Sequence, residues 1–146
     1  MIAAVSPVSA ILVGVDGSPS SQRAAAYAVG VALRQRSKLV AVFVRSLPSP
    51  LLPLADSGGN AAIIDAQGEI EQELRATLAQ LRPELGIEVE LLVRTGEPFA
   101  ELIAVAKELQ ADAVIVGRST KMLHRIAGSL AVKLVRYGHW PVTVVP

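Results

Sequence analysis

The chain contains no cysteine in its 146 residues, which excludes disulfides, thiolate metal sites and cysteine nucleophiles. Aromatic residues are also scarce, at 3%, although 51% of the chain is hydrophobic, so the apolar content is mainly aliphatic. Such a composition is typical of an α/β protein with aliphatic strands and alanine-rich helices. The length predicts one domain that spans residues 1–146.

Segments that would direct the chain to a membrane or out of the cell are lacking as well. The N-terminus, MIAAVSPVSA, is apolar but has no basic residue, which is not the pattern of a signal peptide. No uncharged apolar stretch approaches the roughly 20 residues that a membrane span needs. We therefore expect a cytoplasmic protein with no membrane partner.

Acidic residues are absent from the last quarter of the chain. Residues 113–146 contain five basic residues and no acid, although the net charge of the whole chain is only +1. This asymmetry favours a small anionic ligand near the C-terminal third, and we expect no nucleic acid partner. For Lys133 and Arg136 the solvated face of a helix is a sufficient explanation. For Arg118, Lys121 and Arg125, both a ligand loop and a plain basic turn remain open.

Short aliphatic runs alternate along the chain with segments of helical length. The runs predict strands at residues 11–15, 39–44, 87–93, 113–116 and 142–145. The segments between them predict helices over residues 18–36, 60–85 and 97–109, and a last helix that ends at Gly138. This alternation favours a parallel sheet with helices on both faces and right-handed crossovers. Residues 46–59 contain three prolines and two glycines and predict a loop.

Two of the predicted strands end in residues suited to a ligand. Asp16 follows the first strand, Gly117 follows the fourth, and Gly128 and Ser129 stand at the start of the last helix. In open α/β sheets, ligands bind beyond the carboxyl ends of the strands where the winding direction reverses. An aspartate there can accept hydrogen bonds from a ribose, and a helix start favours an anion. Helix capping by Asp16 and Ser129 is the alternative explanation, with Gly128 easing entry of the chain into the helix.

Four segments of the chain together resemble the universal stress protein family over essentially its whole length. In chain order they are VGVDGSPSSQRAAAYAV, RTGEP, ADAVIVGRS, and a GS pair followed by a helix and WPVTVVP. The resemblance implies an α/β fold of the adenine-nucleotide-hydrolase-like, Rossmann-like type. Its five-stranded parallel sheet would have the order 3-2-1-4-5, with helices on both faces. It also implies a homodimer paired through the last strand, Val142–Val145.

Nucleotide-binding members of that family resemble one another in a glycine-rich loop, G-x2-G-x9-G-[ST], after the fourth strand. Gly117 matches the first glycine, and Gly128 with Ser129 matches the final pair. Thr120 stands where the second glycine belongs, and only seven residues separate it from Gly128. A β-branched residue is costly at positive φ, and two missing residues remove up to roughly 7 Å of reach. The family's backbone cradle for phosphate therefore cannot form unchanged in this chain.

The resemblance implies a nucleotide site in which Asp16 meets the ribose or adenine and Val44 lines the base pocket. Gly117, Gly128 and Ser129 would meet phosphate, while Arg118, Lys121 and Arg125 would neutralise its charge. The full candidate set is Asp16, Val44, Gly117, Arg118, Thr120, Lys121, Arg125, Gly128, Ser129 and Leu130.

These observations predict a regulatory protein that binds an adenine nucleotide, with ATP, with or without magnesium, as the first candidate. One alternative is a dimeric stress-response protein that has lost the ligand because of the altered loop and acts through an unidentified protein partner. Another is a different anion, such as a cyclic nucleotide. We expect no enzyme, since the two histidines have no acidic neighbours and no metal-ligand spacing. Slow ATP hydrolysis would be incidental.

Overall fold

The computed structural model describes residues 9–46, 57–118 and 129–146, which form five strands and four helices. The strands are β1 (Ala10–Val15), β2 (Lys38–Arg45), β3 (Val89–Thr95), β4 (Ala113–Gly117) and β5 (Val142–Val145). The helices are α1 (Pro19–Gln35), α2 (Ser57–Leu85), α3 (Pro98–Leu109) and α4 (Leu130–Tyr137).

The five strands form one parallel sheet in the order β3-β2-β1-β4-β5. The predicted fold class and strand order are therefore confirmed. β1 lies at the centre of the sheet, paired with β2 on one side and β4 on the other, and its six residues are nearly all buried. The chain winds outward from β1 in both directions, so the winding reverses between β1 and β4.

Helices cover both faces of the sheet because alternate strand residues point to opposite sides. On one face, Leu12, Val40 and Val114 pack with α3 and α4, whose Leu102 and Leu134 are almost fully buried. On the other face, the remaining strand residues pack with α1 and α2. The main contacts there are Ile11, Val13, Phe43 and Ile115 with Ala24, Ala28, Ala32, Ile70, Leu74 and Leu78.

Two elements, β3 and α2, have boundaries that differ from the sequence prediction by more than one residue. β3 runs over Val89–Thr95 instead of residues 87–93, because its ladder follows β2 as far as the pair Arg45 and Thr95. α2 begins at Ser57, inside the segment predicted as a loop, while residues 47–56 lie outside the described part. Pro83 does not shorten α2, since it falls in the last turn and the helix ends at Leu85, as predicted.

Candidate functional site

A cleft lies at the carboxyl ends of the central strands, where the winding direction reverses. Its volume is about 500 Å³, and we call it the switch-point cleft. The residues that line it are Gly14, Val15, Asp16, Ser18, Ser20, Ser21, Val42, Val44, Ser46, Glu97, Pro98, Phe99, Leu102, Val116, Gly117, Arg118, Leu130 and Lys133. This is the position at which open α/β sheets bind ligands. The structure therefore brings together five of the ten predicted site residues, namely Asp16, Val44, Gly117, Arg118 and Leu130.

Asp16 is exposed at the tip of β1 and stabilises the turn into α1. Its Oδ1 accepts a hydrogen bond of 2.9 Å from the backbone N–H of Ser18. The helix cap itself is Ser18, whose Oγ accepts from the backbone N–H of Ser21 at 3.2 Å. Between them Gly17 adopts φ +81°, a left-handed conformation that favours glycine. Asp16 is thus held by the turn at the mouth of the cleft, and it is not the cap of α1.

Gly117 ends β4 in direct contact with the first turn of α1. A Cβ placed on Gly117 would lie 2.6 Å from the carbonyl carbon of Ser20 and 2.7 Å from the nitrogen of Ser21. The Ser20 Oγ also donates a 2.8 Å hydrogen bond to the carbonyl oxygen of Arg118. These contacts explain the glycine by packing alone, because no side chain fits between the strand and the helix.

Arg118 leaves the sheet at the rim of the switch-point cleft. Its backbone N–H donates to the carbonyl oxygen of Val145 at 2.7 Å, which extends the pairing of β4 with β5. The residue is exposed, and it makes no ion pair with any acid in the described ranges. A guanidinium in this position is available to an anion, and its planar donors suit phosphate.

The start of α4 forms another wall of the cleft. Ser129 is the N-cap, and its Oγ accepts from the backbone N–H of Val132 at 3.3 Å. Leu130 lines the cleft and packs against the core. Ser129 borders a neighbouring cavity instead, together with Arg118. The capping alternative for Ser129 is thus realised, while a contact of Ser129 with phosphate stays a prediction.

The apolar wall of the cleft comes from β2 and α3. Val42 is buried and Val44 is half-buried at the end of β2, and both line the cleft with Leu102 of α3. Val44 therefore lies where an apolar neighbour of a base was predicted. Such a wall, with a few polar groups around it, is the usual composition of a small-molecule site.

Two charged residues and one aromatic residue of the cleft were not among the predicted site residues. Glu97 caps α3, and its carboxylate accepts from the N–H groups of Phe99 at 3.2 Å and Ala100 at 2.8 Å. Phe99 lines the cleft, and the Nζ of Lys133 lies 6.0 Å from the centre of its ring. Lys133 is exposed on α4, as expected for the solvated face of a helix, and α4 also places it beside the cleft. The RTGEP segment, which contains Glu97, was the part of the sequence that could have indicated this residue.

The remaining candidate residues, Thr120, Lys121, Arg125 and Gly128, lie outside the described residues, as does His124. Their proposed contacts with phosphate stay predictions. In the ranges that the structure does describe, no group of three or more histidine, aspartate or glutamate side chains could hold a metal ion.

Comparison with known proteins agrees with the fold. The universal stress protein family matches residues 8–146 of the chain. The chain belongs to the universal stress protein family. A universal stress protein of Methanocaldococcus jannaschii is 29% identical to it over 137 residues, which are 92% of this chain and 80% of that relative.

Solved universal stress proteins share the same architecture. The protein UspA of Lactobacillus plantarum has a TM-score of 0.78 and 24% identity, with 97% of this chain and 100% of that chain covered. A universal stress protein in complex with cAMP has a TM-score of 0.63 and 24% identity, covering 94% of this chain and 97% of its own. Both likenesses concern the fold.

A second cavity of about 500 Å³ lies on the outer side of α4 in this universal stress protein. It is lined by Arg118, Ser129, Ala131, Val132, Val135, Arg136 and Val144. Three of its valines are unusually exposed for apolar side chains, at 41% for Val132, 57% for Val135 and 42% for Val144. β5 beside it is an edge strand, since it pairs only with β4 in the described sheet. Exposed apolar residues next to a strand edge are typical of an interaction surface.

No helix in the part of the chain that the structure describes is long and apolar enough to cross a membrane.

Proposed function

We propose that this universal stress protein binds an adenine nucleotide in the switch-point cleft and acts as a regulator. The observation that carries the proposal is the composition of the cleft. A carboxylate, an apolar wall and exposed cations lie together at the carboxyl ends of the central strands. Asp16 supplies the carboxylate, Val42 and Val44 supply the wall, and Arg118 supplies a cation. A ribose, a base and a phosphate respectively need these three kinds of surface.

The order of the groups around the cleft supports one orientation of the nucleotide. The adenine packs against Val44 at the end of β2, and Asp16 accepts hydrogen bonds from the ribose or the adenine. The phosphates then extend toward Arg118 and the start of α4, in the acid-free quarter of the chain. Gly128, Lys121 and Arg125 would complete this phosphate end. Gly117 contributes by bringing β4 against α1.

One further observation supports an adenine nucleotide as the ligand class. One related structure is a universal stress protein in complex with cAMP, and its fold covers 94% of this chain. The shortened loop, by contrast, is an argument for the second candidate, since a cyclic nucleotide needs fewer phosphate contacts. ATP, with or without magnesium, remains the first candidate, and a cyclic nucleotide is the second.

Calorimetric titration of the purified protein tests the proposal. ATP, ATP with magnesium, cAMP and, as a control for the base, GTP would each be titrated up to millimolar concentration. We expect saturable heat with at least one adenine nucleotide and weaker binding of GTP. Absence of heat and of any thermal shift with all adenine nucleotides would overturn the proposal. It would favour the alternative, a stress-response interaction protein without a ligand.

We also propose that two copies of the chain pair through β5, giving a homodimer. The edge position of Val142–Val145 and the exposed valines of the neighbouring cavity support it. A further, unidentified protein partner would then distinguish the nucleotide-bound form of the protein from the nucleotide-free form. The absence of cysteine from the sequence favours the cytoplasm as the compartment.

A regulatory role is favoured over catalysis by the groups that line the cleft. Asp16 and Glu97 are its carboxylates, and the Glu97 carboxylate already binds two N–H groups of α3. General base catalysis on water needs a group within hydrogen-bond reach of the phosphate, and the proposed orientation places Asp16 at the ribose end instead. We therefore expect hydrolysis, if measured, to be slow and incidental.

A further inference from the structure

Lys133 lines the switch-point cleft from α4, a contribution that the sequence did not indicate. It lies in the first turn of α4 and lines the cleft with Phe99. α4 is anchored on both sides of Lys133, because Ala131 and Leu134 are buried at 7% and 0% exposure. The position of the lysine at the rim is therefore fixed by the core packing of its helix.

The charge of Lys133 is not neutralised by an acid of this chain, as far as the described residues go. It makes no ion pair there, and the contact that involves its ammonium group is the Phe99 ring at 6.0 Å. Glu97, which lies in the same cleft, uses its carboxylate to cap α3. An exposed ammonium beside an aromatic ring at the rim of a cleft is well placed to receive an anion.

We propose that Lys133 binds the phosphate of the nucleotide from the α4 side of the cleft. This inference rests on the proposed function and assigns that site a specificity-determining residue outside the loop of residues 117–129. That loop is two residues shorter than the family's pattern and has Thr120 in place of a glycine. A contact from α4 does not depend on the loop, so it replaces part of the backbone cradle that the loop cannot form.

The chain offers a matched control in Lys107 of α3. Both lysines are exposed helical residues with the ammonium group near an aromatic ring, at 6.0 Å for Lys133 over Phe99 and 5.3 Å for Lys107 over Tyr137. Lys107 does not line the switch-point cleft. Replacement of either lysine by methionine removes one positive charge and keeps the apolar stem, so the pair separates a local contact from the net charge.

The experiment measures the affinity of wild type, Lys133→Met, Lys107→Met and Lys133→Arg for ATP, AMP and adenosine by calorimetry. We expect Lys133→Met to weaken ATP about tenfold and AMP by a smaller factor, because a charge-assisted hydrogen bond is lost. Lys107→Met should stay within about twofold of wild type, since a distant exposed charge contributes little. Lys133→Arg should restore most of the affinity, and adenosine should bind all four proteins equally.

Three results would overturn the inference. Equal ATP affinity of Lys133→Met and Lys107→Met would show that Lys133 acts only through the net charge of the protein and makes no local contact with the phosphate. An equal loss for adenosine and ATP would show that Lys133 shapes the cleft and does not meet phosphate. A wild type that binds no adenine nucleotide overturns the proposed function and this inference with it, whereas the first two results leave nucleotide binding intact.

Discussion

Gly117 lies against the backbone of Ser20 so closely that a Cβ on Gly117 would come within 2.6 Å of the Ser20 carbonyl carbon. This contact joins the end of β4 to the first turn of α1, and the Ser20 Oγ reinforces it by donating to the Arg118 carbonyl oxygen. Residues of both elements line the switch-point cleft, as does Asp16. The contact therefore helps to hold Arg118 against the helix that follows the Asp16 turn.

Gly117→Ala should destabilise the protein by about 2 kcal/mol. The added methyl group would clash with the backbone of Ser20 and Ser21, and the clash is relieved only if β4 and α1 move apart. The free energy of unfolding, measured by urea denaturation, checks this. A variant as stable as wild type would show that the glycine is not required for packing.

Gly68→Ala is the matched control for that substitution. Gly68 lies within α2, and a Cβ placed on it meets nothing within 4 Å. We expect a gain of about 0.5–1 kcal/mol in the free energy of unfolding, because alanine favours the helix over glycine. A loss of stability there would mean that α2 is packed differently from the structure.

Asp16→Asn should weaken adenine nucleotides about tenfold and change the free energy of unfolding by less than about 0.5 kcal/mol. Asparagine keeps an oxygen that accepts from the N–H of Ser18 while removing the charge. Asp112→Asn is the control: its Oδ2 accepts from the N–H of Ala10 at 2.9 Å, at the opposite end of the strands. Calorimetry and urea denaturation of both variants check this, and equal affinities in the two variants would remove Asp16 from the site.

Glu97→Ala should cost about 1 kcal/mol of stability, because the N-cap of α3 is lost, whereas Glu97→Ser should cost much less because serine caps well. Both variants remove a negative charge from the cleft, so both should bind ATP somewhat more tightly than wild type. Thermal or urea denaturation gives the first comparison and calorimetry the second. Weaker ATP binding by Glu97→Ser, the well-capped variant, would mean that the carboxylate itself contacts the ligand.

Val144→Lys should abolish the proposed homodimer, since a charge on an exposed strand edge blocks pairing with another strand. Val144 is 42% exposed, and Tyr27 on α1 is 46% exposed, so Tyr27→Lys is a control on a different surface. Light scattering should give a dimer for wild type and Tyr27→Lys and a monomer for Val144→Lys. A monomeric wild type would exclude the dimer.

The sheet and its helices could be predicted from the sequence because their signals are local. Aliphatic runs separated by helical segments indicate parallel strands, and Ser18-Pro19, Gly86 and Gly138 mark helix ends that the structure confirms. The boundaries of β3 could not be predicted in the same way. Its two extra residues, Arg94 and Thr95, pair with the end of β2, and such pairing depends on a strand distant in sequence.

The site could be predicted only in part, because the sequence does not show toward which neighbouring element a side chain on a packed helix points. Asp16 and Arg118 follow strands directly and Val44 lies near the end of β2, so the sheet alone places them together. Lys133 reaches the cleft only because Leu134 and Ala131 dock α4 against the sheet at one particular rotation. Gly117 matched a phosphate motif, although its contact with Ser20 is a sufficient reason for the glycine.

A crystal structure of the protein grown with an adenine nucleotide is the most direct test of where the ligand binds. We expect the base beside Val44, the ribose or adenine within hydrogen-bond distance of Asp16, and the phosphate near Arg118 and Lys133. A nucleotide bound elsewhere, or an empty switch-point cleft at saturating ligand, would contradict the proposed site.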